Sequence, residues 1–221
     1  MSYWISLLPN LAKGFGISLN VYVVTLIVSM PIGLILGYIS NTRPFIQKIL
    51  SAYSWLFRGS PLLLQLYFVF YALPLILPIP LRDNRLFFAI ITFILNYSAY
   101  FQEIFKGGFK TIGKGQWDAA KMLNISKINA FRYIIIPQVM RNTLYSISNE
   151  CITLVKDTSL LAAVALPEML MVAKEAVSRD LRVDALVLVG VGYLLFTALV
   201  VFVINIISKK LNMKGTSHDS I

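Results

Sequence analysis

Charge is confined to a few places along this chain, and long apolar stretches run between them. Four stretches are almost free of charge over the length of a membrane-crossing helix, about 20 residues. They lie between Lys13 and Arg43, Arg58 and Arg82, Arg85 and Lys106, and Asp184 and Lys209. A fifth, from about Asn142 to Leu166, is apolar but contains Glu150, Lys156 and Asp157. Apolar residues run on in these segments instead of alternating with polar ones, which excludes the strands of a barrel. Lipid offers backbone groups no partners, so each segment must satisfy its own by forming a helix. The pattern predicts an all-α membrane protein with about five transmembrane helices in a single domain, residues 1–221. The second span is interrupted by Pro61, Pro74, Pro78 and Pro80. It should be kinked or partly non-helical near Arg58-Gly59-Ser60-Pro61. A helical lead-in from about Phe45 to Phe57 is expected near the inner surface.

Composition agrees: 57% of residues are hydrophobic, only 14% are charged, and the mean hydropathy is +0.74. A soluble domain carries roughly 25% charged residues. One cysteine (Cys151) and one histidine (His218) leave no disulfide framework, no Cys/His metal site and few nucleophile–histidine pairs. The first residues lack a basic region and a small-residue cleavage site, so no cleaved signal peptide is expected.

A net charge of +10 would suggest nucleic acid in a soluble protein. Here its distribution reports topology instead. With the N-terminus outside, thirteen Lys and Arg fall on the inner face: Arg43, Lys48, Arg58, Lys106, Lys110, Lys114, Lys121, Lys127, Arg132, Arg141, Lys209, Lys210 and Lys214. Only six face outward (Lys13, Arg82, Arg85, Lys174, Arg179 and Arg182), nearly neutralised by Asp83, Glu168, Glu175, Asp180 and Asp184. The positive-inside rule therefore puts the N-terminus outside, the C-terminus in the cytoplasm and the segment about 107–137 on the cytoplasmic side.

Within that segment, DAAKMLNISKINAFRYIIIP (118–137) is short, polar and basic. Asp118 suits the first turn of a helix, followed by good helix formers at Ala119, Ala120, Met122 and Leu123. Asn124 is a natural left-handed stop. Ser126 can N-cap a second short helix through Phe131, with Pro137 marking the start of the fourth span. Periodicity alone leaves open an amphipathic segment lying on anionic lipid.

The spacing resembles a known loop. Asp118-Ala119-Ala120, three residues, Asn124, nine residues, then Ile134-x-Ile136-Pro137 is similar to the EAA motif of ABC importer permeases, with Asp for Glu and Asn for Gly. RGSPLLLQLYF from Arg58, SAYFQEIFKGGFKTIGKGQWDAA from Ser98 and the KDTSL run from Lys156 resemble the polar amino-acid branch of these binding-protein-dependent systems. That branch has a small residue where this chain has Gln102. The resemblance implies a type I importer fold with a cytoplasmic coupling helix. It implies docking of an ATP-binding subunit on Asp118, Ala119, Ala120, Lys121, Met122, Leu123 and Asn124.

The fourth span carries the other candidate site. Ser146, Asn149, Glu150, Thr153, Lys156 and Asp157 share one helical stripe, which must face protein or water. Lys156 and Asp157 are expected to neutralise each other or neighbours. Glu150 has no cation on its own helix, leaving a ligand cation, a basic residue on another span, or protonation. The resemblance favours a cationic amino acid. It extends the substrate site to Asn149, Thr153, Asp157, Thr158 and Ser159, with a loosened helix at 157–159 offering amides to a carboxylate. Glu103 reads as a loop anchor beside Lys106, and Arg58 as a tie between the helix break and the coupling region.

The expected function is the permease subunit of an ATP-driven importer of polar, cationic amino acids in the bacterial inner membrane. Its implied partners are two ATP-binding subunits, a second permease (self or homologue), an extracytoplasmic amino-acid-binding protein and the bilayer; no nucleic acid is expected. There is no phosphate-binding loop, so the chain is not an enzyme and holds no cofactor; ATP and Mg belong to the partner. The alternative is an ion-coupled secondary carrier using Glu150 and Asp157.

Overall fold

The computed structural model describes residues 2–77 and 84–213. Pro78, Pro80, Arg82, Asp83, Lys214 and His218 lie outside the described residues. Among the described residues every regular element is helical: α1 (Ser2–Thr42), α2 (Pro44–Gly59), α3 (Leu62–Tyr67), α4 (Leu73–Ile76), α5 (Arg85–Lys110), α6 (Lys114–Met122), α7 (Lys127–Ala130), α8 (Ile136–Asp157), α9 (Met169–Asp180) and α10 (Asp184–Met213). Three helices are long and apolar enough to cross a membrane: Tyr3–Thr42, Arg85–Lys110 and Asp184–Lys210. The second span is a broken one. Pro44–Gly59 and Leu62–Ile76 meet at 96°. The fifth element of the expected set, α8, has 22 residues, about 33 Å at 1.5 Å per residue, but its polar stripe keeps its hydropathy low.

α1 and α5 form the centre of the bundle and run parallel. Their crossing is set by Gly33 and Gly37, one turn apart on α1. A Cβ on Gly33 would lie 2.8 Å from Phe101 C and 2.9 Å from Gln102 N, and one on Gly37 would lie 2.9 Å from Lys106 N. The two backbones therefore touch, as small residues four apart permit in membrane helices. Asn41 closes the crossing by donating to Lys106 O at 3.0 Å. Around it Phe93, Tyr97, Phe101 and Phe105 are buried along one face of α5.

Several expectations needed correction. α2 is helical, as its pattern suggests. It packs along α5, where Gln102 Nε2 donates to Leu50 O at 3.0 Å and the Tyr53 hydroxyl donates to Leu95 O. Gln102 is fully buried in that contact, so its side chain bridges two helices. α9 was missed, because its charges made the segment look like a loop. Glu168 was counted with the outer surface charges, yet it is buried: it N-caps α9 by accepting Met171 N–H at 2.8 Å and also accepts the Tyr193 hydroxyl at 2.6 Å.

The loop between α5 and α8 follows its sequence in most respects. Asn124 is left-handed, with φ 56°. Ile125 N–H donates to Ala120 O and Asn124 N–H to Lys121 O, the paired bonds of a Schellman stop. Ser126 Oγ accepts Asn129 N–H at 3.4 Å. However, α6 begins at Lys114, not at Asp118, so Asp118 sits beyond the first turn. The second short helix does not end at Phe131 either. It continues through a π turn, Phe131–Ile135, straight into α8, with Pro137 in that helix's first turn.

Candidate functional site

The polar stripe of α8 opens onto a cavity. Asn149 and Thr153 are exposed, and Glu150 and Asp157 are half-buried. Thr153 and Asp157 line a cavity of about 540 Å³ together with Leu160, the Arg58–Leu63 bend between α2 and α3, and Asn96 and Tyr100 from α5. A larger groove of about 620 Å³ lies behind the bend, between Leu56, Phe68 and Leu95. Its walls are almost wholly apolar, so it has nothing to offer a charged solute. The 540 Å³ cavity, by contrast, is lined by both Arg58 and Asp157; another, of about 410 Å³ between α1 and α9, is lined by Lys13, Glu175 and Arg179.

Asp157 is held by α5. The Tyr97 hydroxyl donates to its Oδ2 at 2.7 Å, and among the described residues Lys156 makes no ion pair but points outward. The expected Lys156–Asp157 neutralisation is therefore replaced by a neutral donor, leaving the second carboxylate oxygen available. Arg58 enters from the opposite wall. Its guanidinium lies over the Tyr100 ring, 5.4 Å from the centroid, and within electrostatic reach of Glu150. Arg58 does not tie the bend to the coupling region; the bend turns it into the cavity instead. Arg58 and Asp157 thus line one space the size of a small solute, while Glu150 stands outside its lining.

Not every candidate reaches this space. α8 does change its winding after Asp157, passing to a 3₁₀ helix over Thr158–Val164. Yet the Thr158 amide is engaged with Leu154 O, its side chain is buried, and its hydroxyl donates to Val155 O at 2.7 Å. Ser159 Oγ likewise donates to Lys156 O. The tighter winding keeps these groups bonded within the chain, so they offer a carboxylate no free donor. Conversely, Arg58, Asn96 and Tyr100 were not singled out as cavity residues. Asn96 and Tyr100 are four apart on α5, a polar pair on one helical face that an uncharged span conceals. Glu103 pairs with Lys106 at 3.0 Å, as its position suggested.

The second candidate site is α6. Its tip presents Met122 (87% exposed), Leu123 (73% exposed) and, from α7, Ile128, with Asp118, Ala119 and Lys121 around them. Ala120 is 3% exposed, so its side chain is not part of the exposed tip. Asn124 shapes the turn. The loop is anchored beneath by Phe131, whose ring lies 4.5 Å from Tyr38 and 6.0 Å from Phe109.

Comparison with known proteins places both sites in context. Residues 29–213 match the family described as binding-protein-dependent transport system inner membrane component. Over 207 residues the chain is 30% identical to the arginine transport system permease protein ArtQ of Bacillus subtilis (strain 168), spanning 92% of this chain and 93% of that protein. It is 27% identical to the glutamine transport system permease protein GlnP of Escherichia coli (strain K12), spanning 93% and 94%. Its fold is similar to that in the crystal structure of an amino acid ABC transporter with histidines, with a TM-score of 0.81 at 23% identity over 94% of this chain and 97% of that one. The chain belongs to the family of inner-membrane components of binding-protein-dependent transport systems.

Proposed function

We propose that this chain is the permease of an ATP-driven importer whose cargo is a cationic amino acid, bound on its way across the membrane in the cavity between α2, α5 and α8. The observation that carries this reading is the charge pattern. An amino acid with a basic side chain bears one carboxylate and two cations; the cavity lining offers Arg58 for the first and Asp157 for one of the others. Glu150, about two turns before Asp157 on α8 and outside the lining, lies within electrostatic reach of Arg58 for the remaining one. Thr153, in the lining, and Asn149, one turn along, add neutral hydrogen-bonding groups. The names of the relatives, which specify arginine and glutamine, are in keeping with an amino-acid cargo. Nothing in the comparisons favours the ion-coupled carrier.

The partners follow from exposed surfaces. Ser146, Asn149, Thr153 and Lys156 form an exposed polar stripe inside a span. Facing lipid, the lysine alone would cost about 2.5–3.5 kcal/mol. A second permease, identical or homologous, covers this stripe and leaves a watered path between the two. The basic α6–α7 loop lies in the cytoplasm, and each loop seats one ATP-binding subunit, which supplies the ATP and Mg. An extracytoplasmic binding protein delivers the cargo to the other face. ATP binding and release move the loop and shift the spans between outward- and inward-open states.

The test is uptake by proteoliposomes carrying the assembled importer and its binding protein. Glu150→Gln removes one charge-assisted bond of roughly 1.5–3 kcal/mol, so arginine uptake at limiting substrate should fall by about 10- to 100-fold. The complex should still assemble. Unchanged arginine uptake by this variant would sink the cargo assignment.

A further inference from the structure

The bend between α2 and α3 creates an acceptor that the backbone cannot satisfy. Phe57 lies in the last turn of α2, where its carbonyl would ordinarily accept the amide of the residue four further on. That residue is Pro61, which has no amide hydrogen. Ser60 is extended, with φ −107° and ψ 140°, and its own amide and hydroxyl both donate to Leu56 O. The Phe57 carbonyl is left to side chains. Gln65 Nε2, from the first turn of α3, donates to it at 2.9 Å and also reaches Ser60 O at 3.1 Å and Ser60 Oγ at 2.9 Å. Asn96 Nδ2, from α5, donates to the same carbonyl at 2.9 Å and to Gln65 Oε1 at 3.1 Å. Two side-chain amides replace one missing backbone amide, and three elements are joined at that point.

The two amides differ in what else they touch. Asn96 lines the charged cavity, whereas Gln65 lines only the apolar groove on the far side of the bend. Arg58, one peptide bond beyond the Phe57 carbonyl, lines the charged cavity. We infer that Gln65 is a positioning residue for cargo selection: by holding the Phe57 and Ser60 carbonyls it fixes the end of α2, and so aims Arg58 at the cargo's carboxylate. This rests on the role given to Arg58 above. Without the Gln65 donor the Phe57 carbonyl keeps one of its two bonds and Ser60 loses both, so the last turn of α2 gains freedom and Arg58 loses its fixed aim. Contacts to the cargo's cationic groups, made from α8, are untouched.

That asymmetry gives the experiment. The complete importer, permease with its ATP-binding subunits, is placed in lipid nanodiscs, and binding of L-arginine is compared with that of agmatine, which lacks only the α-carboxylate. Arg58→Gln should weaken arginine about tenfold and leave agmatine unchanged. Gln65→Leu should do the same, by roughly five- to tenfold, the size expected for loss of a buried donor. The double variant should be no worse than Arg58→Gln, because both act on one contact. Gln65→Met, unbranched and equally without a donor, serves if the leucine variant does not assemble. Equal weakening of both ligands by the Gln65 variants, or losses that add in the double variant, would reduce Gln65 to a structural strut and overturn the inference alone. An unchanged arginine-to-agmatine preference in Arg58→Gln would overturn the role of Arg58, and this inference with it.

Discussion

Serine at both Met122 and Leu123 would strip the tip of α6 of its apolar surface while leaving the turn beneath it intact. The Schellman bonds are made by backbone groups of Ala120, Lys121, Asn124 and Ile125, and the buried Ala120 is untouched. The size of the effect follows from exposure. Full burial of a Met or Leu side chain is worth about 1.5–3 kcal/mol. With 87% and 73% of these two residues open to solvent, an interface that covers both gains roughly 2.5–5 kcal/mol from them. Since about 1.4 kcal/mol is tenfold in affinity, the double variant should hold the ATP-binding subunit roughly 60 to 4,000 times more weakly. The assay is titration of detergent-solubilised permease with its ATP-binding subunit, read as a dissociation constant and checked by retention on an affinity column. Charge at the rim behaves differently: Lys121→Gln should slow association at low salt and change little else. If the Met122/Leu123 double variant retains the subunit with unchanged affinity while thermal unfolding shows the permease intact, then this surface does not seat it.

Four further outcomes discriminate among the arguments above. Ala120→Leu, at a buried position, should destabilise the loop by about 1–3 kcal/mol through overpacking and lower the unfolding temperature, whereas Ala119→Ser, at an exposed one, should not. Asn124→Val forces a β-branched residue to φ 56°, at a cost of roughly 1–2 kcal/mol, and Asn124→Gly should restore or exceed the parent's stability in the same measurement. Gly33→Val should separate α1 from α5 and lower the unfolding temperature of the permease, while Gly190→Ala, with nothing within 4 Å of its added Cβ, serves as a neutral control. Asp157→Asn keeps an oxygen for the Tyr97 hydroxyl but removes a charge, so it should weaken arginine binding without changing stability.

What was legible in the sequence was whatever rests on local chemistry. Lipid forces helices on long apolar runs, Asn tolerates a left-handed turn, and Ser126 caps the residue three ahead; these need no knowledge of distant partners. The break at Pro61 was visible for the same reason, since a missing amide is a property of one residue. Its consequence was not. Where the freed Phe57 carbonyl finds donors, and which way Arg58 then points, depends on Gln65 and on Asn96, 39 residues further along. The crossing of α1 and α5 was also hidden, because Gly33 and Gly37 look like ordinary apolar positions until another backbone is brought against them. The buried Glu168 misled charge counting for a related reason: its partner, Tyr193, lies on another span.

The two candidate sites are joined by an uninterrupted piece of backbone. From Lys127 through the π turn at Phe131–Ile135 to Asp157 the chain is helical throughout, so nothing between the α6–α7 loop and the carboxylates of Glu150 and Asp157 is free to absorb a displacement as a loose loop would. Glu150 stands 14 residues beyond Ile136, about 21 Å along the axis. A tilt of α8 by about 10° at its loop end therefore carries Glu150 sideways by roughly 4 Å, more than a hydrogen-bond length. Arg58 comes from a different helix. It stands on α2, tied to α5 by the bonds that Asn96 and Gln102 make, and α5 is locked to α1 by direct backbone contact. α8 is itself bound to that core, by the Tyr97 hydroxyl on Asp157 and by Thr143 packed against Gly108, so a tilt of α8 must strain those contacts. On the docking proposed above, pulling on the loop strains the contacts between the helix that carries Glu150 and the core that carries Arg58, and with them the spacing of these charged groups.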